Sequence, residues 1–178
     1  MNQLLDYKST EEEINLLAKT SMSISEIDIE IIHRLAIPEN YIVMALGGEW
    51  SYRSFKKWNE VIKKTLLRYK KINIVIVGSN NALESMNEII NSYFGNNVLN
   101  YVDKLTFNQT TEIIKKSQLL LCCDGGLMHS ANAVSTPIIP LFARLTSNMQ
   151  LTKSNCAFPL FDKTNINNIE VKDVLNKI

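Results

Sequence analysis

From Tyr41 onward, short apolar runs alternate with amphipathic stretches of helical period, and few folds accommodate that alternation. The runs cover 41–46, 72–77, 98–102, 118–122 and 138–142 and are rich in Ile, Val and Leu, as strands buried on both faces must be. Between them Trp58, Val61, Ile62 and Leu66 repeat at helical spacing, as do Ile89 with Tyr93 and Ile113 with Ile114, which predicts crossover helices. Strand, helix and strand in this order build a mostly parallel sheet, and right-handed crossovers bring every strand's C-terminal end to one edge. The expected fold class is therefore α/β, a single Rossmann-like domain over 41–178. Its functional residues should follow the strands, because an open parallel sheet binds ligands beyond its carboxyl edge.

The remaining segments are less regular. Residues 1–40 read as a connector, a helix plus an extended stretch. Ser9 with Glu12 forms a capping-box pattern ahead of Ile14, Leu17 and Ala18, whereas Ile27, Ile29 and Ile31 alternate with charged residues in a way that suits either an edge strand or a helix start. The stretch 146–163 reads as irregular, and a last helix is expected over 171–178.

Charge and cysteine usage exclude several function classes. A formal net charge of +1 in 178 residues provides no field to draw in nucleic acid. The three cysteines are an odd number, Cys122 and Cys123 are adjacent, and no Cys/His spacing fits zinc, so neither a disulfide framework nor a metal centre is expected. A reduced, cytoplasmic setting fits this usage. No signal-peptide pattern opens the chain, and no apolar run approaches the roughly 20 residues that span a bilayer.

The strongest local signal is Cys122-Cys123-Asp124-Gly125-Gly126-Leu127-Met128-His129-Ser130-Ala131, a strand end, a Gly-Gly turn and a helix start. Glycines let a ligand approach the backbone, and the free amides at the start of a helix suit a phosphate group. The plain structural alternative is that Asp124 caps the helix and His129 packs beneath a neighbouring strand.

The whole run 105–142 resembles the donor-binding domain of glycosyltransferase family 9, the bacterial lipopolysaccharide heptosyltransferases. That family has a strand, an Asp, a small residue, a Gly, two residues, a His and a small-residue helix leading to a Pro-containing strand. Asp124, Gly125, Gly126, His129, Ala131, Ala133 and Pro137 fall on this pattern. Upstream, a glycine turn and a Lys two residues before a Trp match Gly47-Gly48 and Lys56-Lys57-Trp58.

The resemblance implies the C-terminal, donor-binding half of a GT-B glycosyltransferase, a fold of two facing Rossmann-like domains. Its ligand would be a nucleotide-diphosphate sugar of the ADP-heptose kind, bound as substrate, with no cofactor and no metal expected. Lys56 would neutralise the phosphates, Gly125 and Gly126 would cradle them, His129 would donate to them, and Asp124 would hold the sugar or the loop. Asn80 and Leu105 would meet the nucleoside. Lys56 read alone is equally a solvated surface lysine, Leu105 equally core, and Trp58 is read as core.

The sequence also departs from the family pattern. Asn80 stands where an acidic residue grips ribose hydroxyls, Gly125 replaces a hydroxyl residue, and Phe142-Ala143-Arg144 replaces Phe-Gly-Pro, adding a cation at the same edge. No catalytic residue is assigned, because the family's general base and acceptor pocket belong to an N-terminal domain that would act in cis or in trans. That domain would also mediate any peripheral attachment to the inner face of the cytoplasmic membrane. The chain alone is then expected to be inactive. The alternative is a degenerate, non-catalytic binding or structural remnant of the same fold.

Overall fold

A computed structural model describes Thr10, Glu12, Glu13 and residues 20–92, 95–151 and 156–178. Helix α1 (Glu26–His33) precedes β1 (Tyr41–Ala45), α2 (Trp58–Arg68), β2 (Asn73–Val77), α3 (Leu83–Ile90) and β3 (Val98–Asn100). There follow α4 (Phe107–Lys116), β4 (Leu120–Cys123), α5 (Gly126–Ala133), β5 (Ile138–Ala143), α6 (Ser147–Gln150), β6 (Leu160–Asp162) and α7 (Val171–Leu175). The strands form one six-stranded sheet in the order β3-β2-β1-β4-β5-β6, and every neighbouring pair is parallel. This is a Rossmann-like α/β domain.

Period-two alternation sends successive strand residues to opposite faces, and here both faces are core. Met44, Ile76, Leu121 and Leu141 pack with Trp58, Val61 and Ile62 of α2, Met86 and Ile89 of α3 and Val171 and Val174 of α7. Val43, Val75, Leu120 and Phe142 pack on the other side with Ile32 of α1, Ile113 and Ile114 of α4 and Met128 and Ala131 of α5. Trp58 is core as expected, 1% exposed and edge-on to Phe55 with ring centroids 5.1 Å apart.

The ambiguous Ile27 segment is helix. Ser25 caps α1 by accepting from the Asp28 amide, and Ile32 is the residue that α1 buries. The helix is held on α4 by Gln109 Nε2 donating to Asp28 Oδ1 at 3.1 Å, while Gln109 also closes the capping box with Thr106 that starts α4. Ser9 and the Ile14, Leu17 and Ala18 face lie outside the described residues, as does Tyr93. The reciprocal capping bonds that the structure does describe join Thr10 to Glu13, one residue further along.

The stretch expected to be irregular contains a strand. β6 is three residues long and pairs with β5 from Leu141 onward. Pro140 falls in the interruption between an isolated bridge from Ile138 to Ala157 and that ladder, as suits a residue with no N–H to donate. Asp162 then locks the following turn. Its Oδ1 accepts from the Thr164 and Asn165 amides, the Thr164 hydroxyl and the Asn168 side chain.

These bonds, that from Asn165 foremost, hold the Asp162 carboxyl down at about 2 against a usual 3.8. A depressed carboxylate stabilises the fold above its unfolded value and ceases to do so as pH falls through the folded one. Asp162→Asn should therefore melt below the parent at neutral pH, and the gap in Tm should close as pH falls from 3.8 towards 2. Thermal melts across that range measure it; a gap independent of pH would mean that the charge of Asp162 does not support the turn.

Candidate functional site

Strand order reverses between β1 and β4, and the chain leaves these two neighbours in opposite directions. After β1 it passes to α2 on one face of the sheet, and after β4 it passes to α5 on the other. Diverging loops open a crevice beyond the carboxyl ends of the two strands, the position where doubly wound sheets bind ligands. A groove of about 230 Å³ lies there, lined by Leu46, Gly47, Gly48, Glu49 and Arg53 after β1, Gly78, Ser79 and Asn81 after β2, and Cys122 to Leu127 at the end of β4.

Three of the expected residues, Asp124, Gly125 and Gly126, line this groove together. Gly125 is the N-cap of α5 and uses no side chain to cap it, so the Gly126 and Leu127 amides lack acceptors within the helix. A Cβ built on Gly125 meets nothing within 4 Å, and its φ of 169° is extended backbone open to any residue. Neither packing nor strain inside the domain demands glycine there. Gly48 is the opposite case, because a Cβ on it would collide with the Arg53 carbonyl and the Ser54 hydroxyl.

Asp124 does not cap the helix. Its carboxylate, 5% exposed, pairs with Arg53 Nη2 at 3.1 Å, and the same nitrogen donates to the Asp124 carbonyl at 2.8 Å. Arg53 was not singled out from the sequence. It ends a 3-10 turn (Ser51–Arg53) that is held by Ser54 Oγ donating to the carbonyls of Gly48 and Trp50. Asn167 braces the same loop from the C-terminal segment, donating to the Ser54 carbonyl and accepting from the Lys56 amide. Arg144 stacks over the Tyr52 ring at 3.8 Å, with a left-handed backbone (φ 69°) that is uncommon for a side-chain-bearing residue.

The other expected residues are not among those lining the groove. Lys56 is exposed and borders a separate depression with Lys57, Asn59, Glu60, Lys63, Glu88 and Ser92. His129 is exposed in the first turn of α5, its amide bonded to the Gly125 carbonyl. Asn80 is exposed, while its neighbours Ser79 and Asn81 face the groove lining. Leu105 is half-buried and packs against the second core.

A larger hollow of about 620 Å³ lies at the opposite edge, bordered by Asn40, Ile72 and Leu119 just before β1, β2 and β4. It lacks the diverging loops and the glycine turns. Among the described residues, no cluster of three or more Cys, His, Asp or Glu side chains could hold a metal ion. No helix among them is long and apolar enough to cross a membrane.

The sequence profile of glycosyltransferase family 9 (heptosyltransferase) matches residues 2–172. No curated protein matches the sequence. Among solved structures, the fold is similar to a glycosyl transferase of family 9 from Veillonella parvula, with a TM-score of 0.76 and 14% identity over 88% of this chain and 51% of that one. It is also similar to the E. coli ADP-heptose lps heptosyltransferase II, at a TM-score of 0.73 and 19% identity with the same coverage. An E. coli heptosyltransferase solved with ADP matches 99% of this chain and 51% of its own, at a TM-score of 0.64 and 14% identity. This chain thus spans about half the length of each of these three solved structures.

Two predictions test this geometry. Burial holds the Cys122 thiol well above its ordinary pKa and pushes Cys123 up to about 12 against the opposing influence of the Phe55 amide and Arg53. Both should stay protonated and inert near neutral pH, so maleimide should label only the exposed Cys156 in the native chain and all three cysteines after denaturation. Rapid native labelling of a second site would show that the β4 end is open.

The second compares two glycines. Gly48→Ala should lower stability by more than about 1 kcal/mol, because the clash is with backbone. Gly125→Ala should stay within about 1 kcal/mol of the parent, since the gain from a stiffer unfolded chain offsets a poorer N-cap. Urea melts of the two variants decide it.

Proposed function

Because this chain belongs to glycosyltransferase family 9, we propose that it is a nucleotide-sugar donor-binding domain of an inverting glycosyltransferase. The observation that carries this reading is the groove at the β1/β4 reversal. There the Asp124-Gly125-Gly126 turn of the family motif sits beside the glycine loop after β1, and the space above Gly125 is left open. The Gly126 and Leu127 amides are suited to receive a diphosphate.

The groove's size fits that assignment. At about 230 Å³ it lies below the roughly 300–1,000 Å³ of ordinary ligand pockets, so it takes the diphosphate and leaves nucleoside and sugar on the open surface. A second domain facing it would enclose the remainder. In this reading the acceptor and the general base come from an N-terminal domain, in cis or in trans, and the activity belongs to the pair. An ADP-heptose-like donor is the first to test, since ADP is the ligand of a similar solved heptosyltransferase. The acceptor would be a lipopolysaccharide or surface-glycan core at the cytoplasmic face of the membrane.

Isothermal titration with ADP, GDP, UDP and their sugars, with Gly125→Ala as the control, tests the reading. The parent should bind a nucleoside diphosphate, and Gly125→Ala, intact in its melt, should bind it at least about tenfold more weakly, equivalent to about 1.4 kcal/mol. Transfer from the bound donor should require an acceptor-binding domain added in trans. A parent that binds no nucleoside diphosphate would instead be the non-catalytic remnant.

A further inference from the structure

Among the described residues lining the groove, only Glu49, Arg53 and Asp124 carry charge, one cation against two carboxylates. Lys56 borders a different depression. A diphosphate placed on the Gly125-Gly126 turn would thus meet a lining with no surplus of positive charge, and everything cationic in it rests on one guanidinium.

That guanidinium is firmly placed. Its Nη2 is fixed at 2.8 Å from the Asp124 carbonyl and 3.1 Å from Asp124 Oδ2, which sets the Arg53 head directly beside the turn. Its Nε is buried and has no acceptor among the described residues. A planar guanidinium carries five N–H donors, and these bonds use Nη2 alone, so the fork beside the turn keeps donors to spare. The backbone on either side is braced as well, by Arg144 stacked on Tyr52 and by Ser54 on the carbonyls of Gly48 and Trp50. Preorganised donors of this kind act without paying for reorganisation when the ligand binds.

We propose that Arg53, held in place by Asp124, receives the phosphates of the donor at this turn. The inference rests on the donor-binding reading above and assigns its charge. Asp124 then acts as a positioning residue: its carboxylate orients the guanidinium fork instead of touching phosphate, which resolves how a carboxylate can stand beside an anionic ligand. Arginine suits the task because its fork can pair with a carboxylate on one edge and with phosphate oxygens on another.

The test is titration calorimetry with ADP and, as an uncharged probe, adenosine, on the parent, R53Q, D124N and the double variant R53Q/D124N. R53Q removes the cation and leaves two carboxylates in the lining, so ADP affinity should fall at least thirtyfold while adenosine affinity changes less than threefold. Raising salt should weaken ADP binding to the parent more steeply than to R53Q.

Should R53Q fail to fold with Asp124 left unpaired, R53Q/D124N removes both charges, and its ADP affinity is compared with that of D124N; a further loss of at least tenfold is expected. If R53Q, or the double variant relative to D124N, binds ADP within threefold of its reference, the assignment to Arg53 is overturned while donor binding stands. A parent that binds no nucleoside diphosphate overturns both.

Discussion

A parallel sheet buried on both faces is the constraint from which the rest of this domain follows. Val43 and Met44 are adjacent and both fully buried, each in a different core, so neither side of β1 can meet water. Such a sheet needs helices on both faces, and each parallel pairing needs a crossover to return the chain to the same starting edge. The crossover faces then decide where the chain diverges. Because α2 and α5 leave adjacent strands toward opposite faces, their loops separate at one point on the carboxyl edge. The groove is a consequence of topology before any of its residues is specified.

Legibility in the sequence followed the range of the interactions. The strands of the sheet centre could be read because Ile, Val and Leu cluster in runs bounded by turn residues, and that pattern is local. β6 could not, since Leu160, Phe161 and Asp162 form too short a run to signal a strand and become one only by pairing with Leu141, Phe142 and Ala143. In α1, alternate isoleucines imitated a strand, although Ser25 and Asp28 already spelled an N-cap that favours helix.

The site divides in the same way. Asp124, Gly125 and Gly126 are contiguous, so a motif can find them. Arg53 reaches Asp124 across 71 positions of sequence, through a loop whose 3-10 turn no periodicity announces. The family resemblance points to Lys56, whereas the turn at Ser51–Arg53 brings Arg53 into the groove lining and Lys56 borders a separate depression. A signal was present in principle, because a basic residue a few positions after a glycine loop at a strand end is a candidate for any anionic ligand. That Arg53 lines the groove and Lys56 another depression depends on the loop's conformation.

The charge of the groove also bears on how a donor domain of this kind would work. With a formal net charge of +1 over the whole chain and more carboxylates than cations in the groove, the domain cannot gather an anionic donor by long-range attraction. In the proposed function, affinity would come from short, directed bonds: amides at the start of α5 and a guanidinium locked by its neighbour. Bonds of that kind are strong only when water is excluded, and a lining of about 230 Å³ open to solvent excludes little of it. A facing domain would raise their strength by enclosing them, so in the proposed enzyme the same closure that brings the acceptor would tighten the grip on the donor. Donor binding by this half alone should then be weaker than in the closed pair, which ties secure capture of the donor to the arrival of the domain that uses it.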